Sequence, residues 1–222
     1  MKKNADLFRE NKYIYLKGAI EPTFCKIAAQ YGIFDSVADF NVDKNQVLGA
    51  HSKYADPLME ALLLYALPIM EEATGLKLLP TYSFYRTYKP GNELPIHVDR
   101  PSCEISASLC LGFSYVHDDP QYKWGLWVGE TEYKMEVGDL AIYRGMEVDH
   151  WRAPMEGEQG TWQVQAFLHY VEAKGTYAFL KYDTRPALGL SEAYHDRKRL
   201  DDAALIRDGI EIPDLLFVAK GE

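Results

Sequence analysis

The chain has no apolar run near the roughly 18 residues needed to cross a bilayer, so no membrane partner is expected. It is poor in positive charge. Lys and Arg number 24 against 33 Asp and Glu, a net charge of −9 over 222 residues. Nonspecific nucleic-acid binding depends on neutralising phosphates, so no nucleic-acid partner is expected either. Cysteine is scarce: Cys25, Cys103 and Cys110 form an odd set with no C-x-x-C. This composition gives neither a disulfide nor a zinc framework and suits a reducing compartment. Met1-Lys2-Lys3-Asn4-Ala5-Asp6 is not an apolar signal segment, and the expected location is the cytoplasm. There is no internal repeat and no low-complexity stretch. What is present is 47% hydrophobic residues, ordinary for a core, at a length that suits one domain over 1–222.

The order of elements points to an α+β fold. Tyr13-Ile14-Tyr15-Leu16 is β-rich and reads as a first strand. Pro22 opens a helix expected to run to about Tyr31, with Gly32 as its stop. Asp56-Pro57 starts a second helix that Gly75 ends and that Pro68 is expected to kink or divide. From Leu78 to about Val171 the chain is strand-like. Helices followed by strands suggest a jelly-roll barrel, core about 78–171, supported by helices over about 20–75. Residues 172–222 are then a C-terminal extension. Its mixed-charge stretch Asp196-Arg197-Lys198-Arg199-Leu200-Asp201-Asp202 reads as solvated.

Two short stretches carry chemistry. In His97-Val98-Asp99 the two outer side chains share one face of an extended strand. Gly138-Asp139 and then His150 lie far downstream. A distant second His completes a 2-His-1-carboxylate triad, which holds Fe(II) on one face and leaves three positions open. His117-Asp118-Asp119 repeats the H-x-D pattern, but Pro120 follows, and this reads as a turn.

Tyr88-Lys89-Pro90-Gly91-Asn92-Glu93-Leu94-Pro95-Ile96-His97-Val98-Asp99 resembles the Y-x-x-G-x-x-L-x-x-H-x-D signature of prolyl-4-hydroxylase-like Fe(II)/2-oxoglutarate dioxygenases. Gly138-Asp139-Leu140-Ala141-Ile142-Tyr143, then His150 and Pro154, is similar to that family's second-histidine region. The resemblance covers roughly residues 10–175. It implies a double-stranded β-helix with Fe(II) on His97, Asp99 and His150, and 2-oxoglutarate and O₂ as cosubstrates. It further implies oxidative decarboxylation to succinate and CO₂, with hydroxylation of a peptidyl residue or small molecule.

One departure matters. The family places Lys or Arg about ten residues after the second His. Here that position is Gly160, and no Lys or Arg occurs between Arg152 and Lys174. A buried carboxylate needs a cation. Arg86 shares strand parity with Tyr88, so Arg86, Tyr88 and Gln165 are the expected cosubstrate-binding set, the last two by analogy with the family. Arg100 and Arg152 closely follow iron ligands and are expected at the pocket mouth, gripping substrate. His169 reads as a hydrogen-bonded interior histidine, and His51 and His195 as surface ones. Trp124, Trp127, Trp151 and Trp162 are expected mostly in the core. The alternatives are a cupin-like oxygenase that does not use 2-oxoglutarate and a noncatalytic β-barrel binding module. A nucleobase-demethylating relative would need a basic stripe that is absent.

Overall fold

A computed structural model describes residues 3–38 and 42–190. The mixed-charge stretch 196–202 and His195 lie outside the described residues. The chain opens with α1 (Asn4–Asn11), an element the sequence reading did not anticipate. So short a helix is marginal by itself. It is held because Phe8 is buried in the core and Lys12 closes the end in the left-handed region at φ 69°. β1 follows at Tyr13–Leu16, as expected.

α2 runs from Pro22 to Ala38 and does not stop at Gly32. The glycine serves close packing instead. A Cβ there would lie 3.0 Å from Val164 Cγ1 and 3.3 Å from Tyr85 Cε2, so its absence lets the helix approach the sheet. β2 (His51–Tyr54) precedes α3 (Pro57–Thr74). Asp56 caps α3, its carboxylate accepting from the N–H of Leu58 and Met59 at 3.0 and 3.4 Å. Pro68 does not divide α3, since Leu63 and Ala66 before it and Met70 and Ala73 after it are buried in one core. Gly75, at φ 72°, ends the helix.

The strands that follow are β3 (Leu78–Tyr88), β4 (Leu94–His97), β5 (Ile105–Ser114), β6 (Leu126–Val128), β7 (Thr131–Tyr133), β8 (Leu140–Tyr143), β9 (His150–Arg152) and β10 (Trp162–Glu172). They form a six-stranded sheet in the order β1-β8-β5-β10-β3-β2 and a four-stranded sheet in the order β4-β9-β6-β7. Every pairing is antiparallel.

Strand alternation divides the large sheet's two faces. Ile105, Ala107, Leu109, Leu140, Ile142, Val164, Ala166 and Leu168 pack with Cys25, Ala28, Met59 and Leu63 of the helices. The opposite face turns Cys110, Ala141 and Tyr143 toward Leu126 and Val128 of the small sheet. The layers are therefore helices, large sheet, small sheet. The second core cluster joins Tyr88, Leu94, Trp124 and Phe167 at one end of the inter-sheet space. Among the four tryptophans only Trp124 is fully buried; Trp127 and Trp151 stack on the small sheet's outer face with ring centroids 5.1 Å apart. His51 is buried rather than on the surface, its Nε2 within 3.1 Å of Asp35 and 3.2 Å of Tyr85 Oη. No helix among the described residues is long and apolar enough to cross a membrane.

Candidate metal centre and the cavity behind it

β4 and β9 pair so that His97 stands opposite His150. Asp99 lies two residues beyond His97, where its N–H donates to Gly145 O at 2.8 Å. The three side chains converge. Asp99 Oδ1 is 3.5 Å from His150 Nε2 and 3.9 Å from His97 Nε2, and one ligand atom from each residue lies within 4.8 Å of the others.

Both imidazoles are set in the same tautomer. His97 Nδ1 is 2.8 Å from Pro95 O, and His150 Nδ1 is 3.0 Å from Val148 O. A carbonyl can only accept, so each Nδ1 carries the proton and each Nε2 presents a lone pair. Asp99 Oδ2 accepts from Ser106 Oγ at 2.8 Å, leaving Oδ1 toward the histidines. Burial raises the Asp99 carboxyl, but the adjacent imidazole of His150 and the nearby imidazole of His169 outweigh it and hold it below the ordinary carboxylate range. His97 is held low by burial first and by His150 second. Gly145 keeps this corner open: a Cβ there would stand 2.5 Å from Asp99 Oδ2. Neither Ser106 nor Gly145 figured in the sequence reading. A glycine in the turn after β8 was the only local signal for the second.

A second group, Asp99, Cys103 and His169, also has its potential ligand atoms within 4.8 Å of one another. Its members are otherwise engaged. Cys103 Sγ is 3.0 Å from Tyr82 Oη, and His169 Nδ1 is 2.9 Å from Ser106 Oγ. His169 is thus an interior hydrogen-bonded histidine, pushed down to about 4 by burial. His117 sits in a turn, accepting the Asp119 N–H at 2.9 Å, and takes no part in the cluster. Asp139 holds the fold together: it accepts from the backbone of Gly18 and Glu136 at 2.8 Å each, and from Tyr15.

The three arginines part company. Arg100 is half-exposed, pairs with Asp183 at 2.7 Å and does not line the cavity itself. Arg86 faces inward as parity requires and lines a cavity of ≈ 140 Å³ with His97, Asp99 and His150. Its Nε and Nη2 are held by Asp43 at 3.2 and 2.9 Å, which differs from the expected role beside Tyr88. Arg152 is not at the mouth. Only 1% exposed, it points between the sheets, because residue 152 shares the inner face with His150.

Arg152 has no acidic partner among the described residues. Its Nη1 donates to Trp124 O at 3.0 Å, its guanidinium carbon lies 4.6 Å from the Trp124 ring centroid, and its Nε has no partner. Burial holds its pKa below the usual guanidinium range. Tyr88 packs edge-on against the same Trp124 ring at 4.8 Å, and its buried Oη also lacks a partner. Gln165 does not supply the missing contact. Its Nε2 donates to Ser108 Oγ at 2.9 Å and its Oε1 accepts from Gln163 Nε2 at 2.7 Å. Gln163 in turn stands opposite Tyr88 across β10 and β3 and accepts from Tyr115 at 2.5 Å.

No protein-family profile matches the sequence, and no curated protein matches it. Solved structures do. A Pseudomonas putida prolyl-4-hydroxylase aligns with a TM-score of 0.55 at 17% identity, over 74% of this chain and 96% of its own. A viral collagen prolyl hydroxylase from Paramecium Bursaria Chlorella virus-1, solved with 2OG, aligns at 0.54 and 11%, over 72% and 95%. The non-heme alpha ketoglutarate dependent epimerase SnoN from nogalamycin biosynthesis aligns at 0.61 and 12%, over 76% and 81%. The chain has the fold these proteins share, with two antiparallel sheets and helices packed on the larger.

Proposed function

We propose that the chain is a single-domain Fe(II)/2-oxoglutarate-dependent oxygenase whose two sheets form a double-stranded β-helix. The observation that carries this reading is the convergence of two Nε2 lone pairs and one carboxylate oxygen, each oriented by a hydrogen bond on its other atom. That donor set suits Fe(II), which accepts imidazole and carboxylate and keeps open positions on one face.

The buried space between the sheets next to His150, where Arg152 and Tyr88 both pack on Trp124, fits the cosubstrate. A fully buried guanidinium without an anion is costly. Arg152 Nε and Tyr88 Oη, both buried and unpartnered, suit the far carboxylate of 2-oxoglutarate. Arg152 therefore replaces Arg86 in this role. It supplies from β9 the cation that β10 lacks, where Gln163 stands opposite Tyr88. The lack of a basic residue on β10 favours an oxygenase without 2-oxoglutarate; the unpaired Arg152 supports the 2-oxoglutarate reading instead. Gln163, Gln165, Tyr115 and Ser108 form a satisfied chain of hydrogen bonds that stiffens the surrounding wall.

With iron bound, 2-oxoglutarate, O₂ and a substrate C–H are converted to succinate, CO₂ and the hydroxylated product. The chain's own residues do the rest. Pro95 O and Val148 O keep the imidazoles oriented, Ser106 fixes one carboxylate oxygen of Asp99, and Tyr82, Phe84, Leu94 and Phe167 wall the cavity with aromatic and apolar surface.

The test is anaerobic loading with Fe(II) followed by titration with 2-oxoglutarate. A visible charge-transfer band and succinate on admitting air are expected. An Asp99→Ala, His150→Ala double variant is expected to lose most of its iron while keeping its fold. Unchanged iron stoichiometry in that variant overturns the metal assignment.

A further inference from the structure

If Arg152 takes the cosubstrate, Arg86 is left for another ligand. Its environment shows which kind. The Arg86 side chain is 7% exposed and lies over the Phe84 ring at 4.8 Å, with Phe167 at 5.7 Å. Asp43 Oδ2 accepts from its Nε and Nη2, and Gln46 Oε1 accepts from Nη2 at 2.6 Å. Asp43 has no capacity left for a ligand. Its Oδ1 already accepts the N–H groups of Asn45 and Gln46 at 2.8 and 3.0 Å. Asp43 thus acts as a brace that fixes the guanidinium by one edge.

The other edge is different. Among the described residues, the hydrogen bonds of this pair run through Arg86 Nε and Nη2 and Gln46 Oε1, and none runs from Arg86 Nη1 or Gln46 Nε2. Both residues line the cavity that holds the His97, Asp99 and His150 side chains. The cavity lining therefore combines hydrogen-bond donors, the candidate metal face and the apolar surface of Phe84, Phe167 and Leu94. A cationic group would meet donors and no open carboxylate except Asp99. An anionic acceptor would meet two donors, one of them charged. At ≈ 140 Å³ the space is also smaller than the roughly 300–1,000 Å³ of ordinary ligand pockets.

We propose that the primary substrate is a small carboxylate, read by Arg86 Nη1 and Gln46 Nε2, with its apolar part against Phe84 and Phe167. This deepens the oxygenase reading and rests on it. It chooses a small molecule over a peptide, because the cavity is small for a chain with substituents on both sides of the acid group.

The experiment uses the full chain, loaded anaerobically with Fe(II) and 2-oxoglutarate. The probes are the common L-amino acids and the straight-chain monocarboxylates from propionate to hexanoate, each beside its primary amide. Binding is read from the change in the charge-transfer band and by calorimetry. At least one carboxylate is expected to bind, with its amide much weaker. Arg86→Met is expected to weaken that carboxylate about 30- to 150-fold, the range for a lost charge-assisted contact. It should change the 2-oxoglutarate Kd by no more than about twofold. Arg86→Met strands Asp43, so an Arg86→Met, Asp43→Leu double variant provides the same readout in a protein with no orphaned carboxylate.

Three results overturn the proposal: no carboxylate binds the wild type, the carboxylate binds both variants as well as wild type, or the variants lose 2-oxoglutarate instead. The last result returns Arg86 to the cosubstrate. Absence of any charge-transfer band in the iron-loaded wild type is a distinct failure, that of the oxygenase reading, and this inference falls with it.

Discussion

Arg185 and Arg152 are both buried, at 3% and 1% exposure, yet their surroundings differ in kind. Arg185 ties the segment after β10 to α3 and β3. Its Nη2 donates to Glu60 and to Thr81 O, its Nη1 to Leu190 O, and its Nε to Tyr182 O. All three of its nitrogens have an acceptor, and its charge has a counterion. Arg152, between the sheets, has one backbone carbonyl, a sulfur 4.0 Å away, an aromatic face and no counterion among the described residues. A chain that satisfies one buried guanidinium so fully leaves the other unsatisfied where Tyr88 Oη is unsatisfied too. The first arrangement serves stability. The second is the arrangement that the proposed cosubstrate role of Arg152 rests on.

The largest expected effect comes from breaking the satisfied pair. Arg185→Met leaves Glu60 buried without its cation, which should cost about 3–5 kcal/mol of stability. Urea denaturation measures it. Whatever fraction remains folded should bind 2-oxoglutarate with wild-type affinity. A selective loss of cosubstrate binding in that folded fraction would show that the two arginines are not the separate devices their partners imply.

Arg152→Met should behave in the opposite way. Loss of a charge-assisted contact of roughly 2–3 kcal/mol weakens 2-oxoglutarate by about 30- to 150-fold. The metal-free protein should be as stable as wild type or more so, since a buried unpaired charge is removed. In thermal melts, 2-oxoglutarate with Mn(II) should raise the wild-type Tm and barely move the variant's. A destabilised apo variant with normal cosubstrate affinity would make Arg152 a structural residue like Arg185.

The contrast also explains what could be read in advance. His97-Val98-Asp99 is local: two residues of strand put both side chains on one face, and no distant contact is needed to see it. Asp56-Pro57 and Gly75 mark the ends of α3 for the same reason. Parity likewise turned Arg86 and Arg152 inward. It could not give depth or partners. Asp43 reaches Arg86 from a loop 43 residues upstream, and Asp183 reaches Arg100 from 83 residues downstream. Gly32 looked like a helix stop because its local propensity says so, while the reason for it lies across the interface at Val164 and Tyr85. His51 looked like a surface residue because its partners, Asp35 and Tyr85, come from α2 and β3. What failed in each case was information carried by tertiary contact.

The smallest effect should come from Arg100, the arginine that directly follows a candidate ligand. Its guanidinium is held by Asp183 through two hydrogen bonds of 2.7 and 2.9 Å and lies 4.6 Å from the Tyr82 ring centroid. Half of the Arg100 side chain is exposed, so solvent screens the pair, and such pairs contribute about 0–1 kcal/mol. Asp183 keeps Ser102 Oγ and Tyr54 Oη as donors when Arg100 is removed. Burial raises the Asp183 carboxyl, but Arg100, Ser102 and Tyr54 together hold it at about 2. A carboxyl depressed in the folded state stabilises above its unfolded value, and that contribution fades as pH falls from about 4 toward 2. Arg100→Met should therefore lose less than about 1 kcal/mol at neutral pH. It should also lose part of the acid dependence of stability and leave both 2-oxoglutarate and carboxylate-probe affinities within about twofold of wild type. A tenfold loss of either affinity would bring Arg100 back to the cavity mouth and require the Asp183 pair to open when ligand binds.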